Sequence, residues 1–149
     1  MRLATLSRDE RGFTLVELLV VLLILGILAA IALMSLQGHN VKAQDAEAKS
    51  NARNIISVVE ACNATQDDYR NCESSDVPGI DDAGIALGGG PGQVIVTSDQ
   101  QRSFLIVSRS KSGNVFRLAR TDGSGVDRTC TVAPGNETGG CSQAPVGTW

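Results

Sequence analysis

Arg11-Gly12-Phe13-Thr14-Leu15-Val16-Glu17 opens an apolar run that continues through residues 18–34 without a polar or charged side chain. A charged leader ends in glycine, phenylalanine follows at once, and Glu17 stands alone as the acid at the edge of a hydrophobic segment. An ionisable group inside a membrane is expensive, about 2.5–3.5 kcal/mol near a helix centre, so an acid kept there points to function. The seventeen residues 18–34 would reach about 26 Å as a helix, close to the thickness of a bilayer's hydrocarbon core. Arg2, Arg8 and Arg11 precede the segment, which places the N-terminus in the cytoplasm and everything after Gln37 outside. A secretory signal cut near Ala29-Ala30-Ile31-Ala32 is the competing reading. It leaves Glu17 and the Gly12–Phe13 boundary as coincidences, and it expects a shorter apolar region.

Beyond the apolar run the helical pattern continues. Val41, Ala48, Ala52, Ile55, Val59 and Cys62 recur at steps of three, four and seven residues, one apolar stripe along a helix. Asp45, Glu47, Lys49, Arg53 and Glu60 are expected on its other faces, with Asp45 and Lys49 spaced as a helical ion pair. Residues 67–92 read as a connecting loop rich in Asp, Ser and Gly, ending in the flexible run Gly88-Gly89-Gly90-Pro91-Gly92. Strands are expected at 93–97, 103–109, 114–120 and 128–133, with Lys111-Ser112-Gly113-Asn114 as a hairpin turn and an irregular tail after Pro134. An amphipathic helix with one apolar stripe needs a partner, and a small antiparallel sheet supplies it. The expected fold is therefore α+β, a long N-terminal helix packed against a small antiparallel sheet. Its parts are a leader (1–12), a helix (13–66, transmembrane to residue 36 and amphipathic from 37), and a head (67–149).

This N-terminus closely resembles that of the type IV pilins, in the order leader, glycine, Phe13, Glu17 and apolar helix, over about the first quarter of the chain. The resemblance implies a precursor cut after Gly12 by a membrane aspartyl prepilin peptidase, which also methylates the new amino group of Phe13. It implies that Glu17 pairs with the Phe13 amine of a neighbouring subunit during assembly, and that the apolar helix passes from lipid into a fibre core. A lone buried acid is costly, and an incoming cation lowers that cost. A more local role for Glu17 is to favour the positive end of its own helix, typically worth 0.3–1 kcal/mol. The implied partners are further copies of the chain in a homopolymer, the peptidase, an inner-membrane assembly platform with a cytoplasmic ATPase, and the membrane before assembly. Many pilins carry proline where this chain has Met34, so the expected kink is missing and Gly26 and Gly38 remain as weaker soft points.

Cys62, Cys72, Cys130 and Cys141 all fall on the expected outer side, where disulfides form. Four cysteines allow three connectivities, and Cys62–Cys72 with Cys130–Cys141 closes two short loops, stabilising by about 2–3 kcal/mol each on the chain-entropy account. Pilins often bracket their C-terminal region with such a bridge. No metal site is expected: there is no C-x-x-C pair, and His39 is the single histidine. Asp122–Asp127 departs from calcium-loop spacing, and the glycine run lacks the Lys-Ser or Lys-Thr of a phosphate cradle. Asn63-Ala-Thr65 and Asn136-Glu-Thr138 match glycosylation acceptors.

The chain carries a net charge of −3, and losing the leader's three arginines and two acids leaves −4, which does not suggest a general polyanion binder. That charge is uneven. Eight acids against Arg70 lie between Glu60 and Asp99, whereas Arg102, Arg109, Lys111, Arg117, Arg120 and Arg128 face only Asp122 and Asp127. Two solvated faces account for this, as does an acidic loop of one head meeting the basic sheet edge of another. The residues offer no nucleophile elbow, catalytic cluster or cofactor site, so no enzyme is expected. A structural pilus subunit (adhesion, motility or DNA uptake) is the leading function. The alternatives are a pseudopilin of a type II secretion system, a minor tip pilin whose head binds DNA or a surface, and a membrane-tethered domain that never polymerises.

Overall fold

The computed structural model describes residues 12–73, 84–122 and 124–149, and for residues 33–38 the helical backbone alone. The rest of the leader, the Met34 side chain, the acids Asp76, Asp81 and Asp82, and Gly123 of the Asp122–Asp127 loop lie outside what is described. Helix α1 spans Leu15–Gln66. The chain divides between Gln37 and Gly38 into two compact units.

In the first unit, α1 is apolar on every side and its described side chains are exposed, from Leu18 and Leu19 to Ile31. A helix that is hydrophobic all round belongs in lipid or among other apolar helices. Leu15–Ala32 is long and apolar enough to cross a membrane.

In the second unit, α1 turns one stripe inward. Ala48, Ala52, Ile55 and Val59 are buried, while Val41 and Cys62 at its ends are half-buried. The helix stops at Asp67, whose φ of 52° is left-handed and whose N–H still donates to the Asn63 carbonyl at 2.8 Å. Such a residue ends many helices, and Asp is one of the few side chains besides glycine that tolerates the conformation. A single 3₁₀ turn, Tyr69–Asn71, follows, capped by the Asp68 carboxylate accepting from the Arg70 N–H.

Five strands form one antiparallel meander in sequence order. They are β1 (Val94–Thr97), β2 (Phe104–Arg109), β3 (Val115–Arg120), β4 (Val126–Thr131) and β5 (Val146–Thr148). The β2–β3 hairpin turns where expected, with the Ser110 N–H donating to the Asn114 carbonyl at 2.8 Å and Gly113 holding a φ of 99°. Along β1 and β2, alternate residues point to the helix, so Val94, Val96, Phe104 and Ile106 are buried with Ile55, Val59, Tyr69 and Leu118. A second cluster joins Ala48, Phe116, Cys130, Val132 and Cys141, and Trp149 packs against both clusters. Burying a side chain such as Ile55 or Phe116 contributes about 1.5–3 kcal/mol.

Four sequence expectations are corrected. The tail after Pro134 is not wholly irregular: β5 forms there and pairs with β4, Val146 opposite Thr131. Strand β4 begins at Val126, two residues before the expected start, because it pairs with β3 in the register that sets Arg120 opposite Val126. The glycine run is pinned rather than flexible. The Gly88 N–H donates to the Val94 carbonyl at 2.9 Å and the Gly92 N–H to that of Arg109 at 2.7 Å, while the Gln93 amide oxygen accepts from the Gly90 N–H at 2.7 Å.

The fourth correction concerns Asp45, which is not on a solvated face. It is 0% exposed, and its carboxylate accepts from Ser112 Oγ at 2.6 Å and from Asn114 Nδ2 at 2.7 Å. Lys49 donates to the Gly139 carbonyl at 2.8 Å. Gly139 has a φ of 58° and lies so close that a Cβ there would overlap the Asp45 carboxylate. The helix is thereby tied to the β2–β3 turn and to the loop before Cys141.

Candidate processing and assembly site

The start of α1 is built by Thr14 and Glu17. Thr14 is the residue before the first helical position and Glu17 is the third inside it. The Glu17 N–H donates to Thr14 Oγ1 at 3.2 Å, and Glu17 Oε2 accepts from the Thr14 N–H at 3.1 Å. Thr14 Oγ1 also donates to Glu17 Oε2 at 3.0 Å. This is a reciprocal capping box, which satisfies two of the donors that a helix start leaves without partners. Its signature, Thr-x-x-Glu, is legible in the sequence and gives Glu17 a local role beyond the helix dipole.

Glu17 therefore serves its own helix, and its Oε1 takes no part in these bonds. Phe13, just outside the cap, is 87% exposed. A Cβ on Gly12 would meet nothing within 4 Å, and its φ lies outside the left-handed range. The fold thus makes no steric demand for glycine at position 12.

The cysteines lie in the other unit. Cys62 near the helix end is bonded to Cys72 after the 3₁₀ turn, and Cys130 on β4 to Cys141 before β5. The first bridge closes the reversal at the end of α1, and the second fastens the tail to the sheet. Sequence reasoning missed the polar cluster behind the reversal. Arg120 on β3 pairs with Glu60 at 2.9 Å and donates to the Tyr69 hydroxyl at 2.6 Å, while the Tyr69 hydroxyl donates to Glu60 at 2.7 Å. Burial pushes the Tyr69 hydroxyl above its ordinary pKa, and the Glu60 carboxylate adds to the shift. Beside it, the Arg70 guanidinium holds the Asp68 carboxyl below the usual value.

Asn136 of the second glycosylation-like triplet donates its amide to the Ser112 carbonyl at 2.6 Å and to Asn114 Oδ1 at 3.2 Å. That nitrogen is committed inside the fold, whereas Asn63 stands half-buried on α1. Among the described residues no group of three or more His, Cys, Asp or Glu side chains is placed to hold a metal.

Comparison with known proteins bears on this same N-terminus. The profile of the prokaryotic N-terminal methylation motif matches residues 7–33, which includes the Gly12–Phe13 junction, the capping box and most of the apolar run. The chain is also 35% identical over 69 residues to the type IV major pilin protein PilA of Myxococcus xanthus (strain DK1622). That match takes in 46% of this chain and 31% of the relative's length. No solved structure matches the chain. The relative is a type IV major pilin, and the chain spans about a third of its length.

Proposed function

We propose that the chain is a structural subunit of a type IV pilus, stored in a membrane as a precursor, cut between Gly12 and Phe13, methylated on Phe13 and polymerised into an extracellular filament. The observation that carries the proposal is the N-terminal arrangement. A glycine that the fold does not require precedes an exposed phenylalanine, and Glu17 stands at the head of an apolar helix. Glycine leaves the chain before the cap open to an extended fit in a protease. Before assembly the exposed apolar surface of 15–32 is covered by lipid, and in the fibre by other copies of the same helix. Glu17 then meets the Phe13 amine of a neighbouring copy, a pairing that offsets the cost of a carboxylate in an apolar medium. The relative matched is a major pilin, which favours the bulk subunit over a minor tip subunit.

Mass spectrometry of filaments sheared from cells tests this. The expected mature chain begins at a methylated Phe13 and is the bulk component. A chain that still begins at Met1, or one cut near Ala32 and released as a monomer, refutes it. Glu17→Ala is expected to insert and be cleaved but to assemble poorly, and normal filaments from that variant would remove the assembly role of Glu17.

A further inference from the structure

We propose that the Cys130–Cys141 bridge is an edge lock, which holds Ser142 against β5 so that the folded head does not add a strand of a second copy. This holds whether or not the copies go on to polymerise. The sheet runs from β1 to β5 in order, so these two strands are its edges. An edge strand presents N–H and carbonyl groups with which any extended chain can pair, and proteins blunt it with charge, proline or a covering segment.

At β1 the covering is shared. The Val94 N–H donates to the Ala86 carbonyl at 2.9 Å, and the Val94 carbonyl accepts from the Gly88 N–H at 2.9 Å. Just past the end of the strand, the Ser98 N–H donates to Glu73 Oε1 at 3.0 Å. At β5 a single residue closes the end of the strand. The Ser142 N–H donates to the Thr148 carbonyl at 2.8 Å, and the Thr148 N–H donates to Ser142 Oγ at 2.9 Å. Both ladder groups of Thr148 are thereby taken. Gly147 makes this close approach possible, since a Cβ there would lie 2.8 Å from Ser142 Oγ and 2.7 Å from the Gln143 nitrogen.

Strand β5 has little other protection. Val146-Gly147-Thr148 carries no charge, and Val146 is 60% exposed, an apolar side chain of the kind that strand addition buries. Pro145 blunts only the approach to the strand, where its carbonyl accepts from the Val132 N–H at 2.8 Å. What fixes Ser142 is the residue before it. Cys141 is bonded to Cys130, and Cys130 stands opposite Gly147 in the β4–β5 register. The bridge therefore runs from the strand beside the edge to the segment that covers the edge. The other bridge has a similar placement, since Cys72 directly precedes Glu73, but β1 keeps Ala86 and Gly88 as further partners.

The test uses the full chain in detergent micelles, with detergent in excess of chains, and follows self-association by sedimentation velocity over a range of concentrations. Paired Cys130→Ser and Cys141→Ser changes release the Ser142 segment. Ser142→Ala keeps the bridge and frees the Thr148 N–H alone. The bridge-free chain is expected to self-associate about tenfold more tightly than wild type, the equivalent of one or two backbone hydrogen bonds gained between copies. Ser142→Ala is expected to shift association the same way by a smaller factor and to speed amide exchange at Thr148. Adding Val146→Lys to the bridge-free chain should return it to the wild-type range, because lysines on facing edges repel. Ile55→Ala truncates a buried side chain of α1 at a comparable cost to stability and leaves both edges alone, so its association should match wild type.

A bridge-free chain that associates no more than wild type overturns the proposal, and so does association that persists after Val146→Lys. An Ile55→Ala chain that associates as readily as the bridge-free one also overturns it, because loss of stability would then be the cause. Where the bridge-free head does not fold, Ser142→Ala decides. Faster exchange at Thr148 with tighter association supports the lock, and wild-type behaviour in both measurements overturns it.

Discussion

Replacing Asp45 by alanine removes the acceptor for two donors, the half-buried Ser112 Oγ at 2.6 Å and the buried Asn114 Nδ2 at 2.7 Å. A buried donor left without a partner costs about 1–3 kcal/mol. Both donors keep a fallback, which sets the estimate at the low end. The Ser112 hydroxyl lies 2.9 Å from Ser110 Oγ, and the Asn114 amide also donates to the Glu137 carbonyl at 3.1 Å. Alanine is the better helix former by roughly 0.5–0.7 kcal/mol. With each donor at about 1 kcal/mol, the net expectation for Asp45→Ala is a loss of about 1.5 kcal/mol. Asp45→Asn keeps one acceptor oxygen and turns an NH₂ against the other donor, so it falls between wild type and alanine. Urea unfolding of the full chain in micelles measures this through Trp149, the single tryptophan, whose ring lies 5.7 Å from that of Phe116 inside the head. Asp45→Ala combined with Asn114→Ala is expected to show coupling of at least 0.5 kcal/mol. A loss below about 0.5 kcal/mol for Asp45→Ala, or additive effects in the double variant, refutes the claim that this carboxylate holds the helix to the β2–β3 turn.

Thr14→Val, which removes the hydroxyl of the capping box, is expected to weaken the helix start by about 0.5–2 kcal/mol; faster amide exchange at Glu17 in micelles reads this, and Thr14→Ser should restore protection. Paired Cys130→Ser and Cys141→Ser changes open a loop with a sequence separation of 11 and should lower head stability by about 2–3 kcal/mol in the same urea assay. Stability is also expected to fall at both ends of the pH scale. Asp68 has a lowered pKa, so its contribution is present above the ordinary carboxylate value and fades as pH falls through the folded one. Tyr69 has a raised pKa, so its contribution is complete below about pH 10 and is lost as pH rises further. Tyr69→Phe should remove the alkaline loss, and an unchanged alkaline limb in that variant would count against the assignment.

The helix was legible because its two halves obey different rules that one sequence can display. The run 18–34 lacks any polar residue, and Ala48, Ala52, Ile55 and Val59 keep helical spacing. Three of the strands and their turn followed from aliphatic runs bounded by glycine, serine and asparagine. Strand β5 did not, because Val146-Gly147-Thr148 has no alternation of its own and forms by pairing with β4. Asp45 was misjudged for a related reason: an acid at a helical position reads as solvated until the turn that supplies Ser112 and Asn114 is folded against it. The pinned glycine run depends on Gln93, whose side chain acts as a local acceptor. At the candidate site the residue types were visible in order, and so was the Thr14–Glu17 spacing. What spacing could not reveal is that both bonds to the carboxylate use one oxygen.

That detail bears on how an acid persists at the head of a lipid-facing helix. The capping box gives Glu17 two donors from its own chain, so the carboxylate is partly satisfied before any neighbour arrives. Hydrogen bonds from a hydroxyl and an amide do not replace the hydration of a carboxylate next to an apolar surface. A neighbouring cation lowers that cost further, and the residues that follow Glu17 offer no lysine or arginine before Lys42. On the proposed reading, cleavage at Gly12 creates the missing cation on every copy, one residue before the cap, and leaves Glu17 Oε1 to receive it from a neighbour.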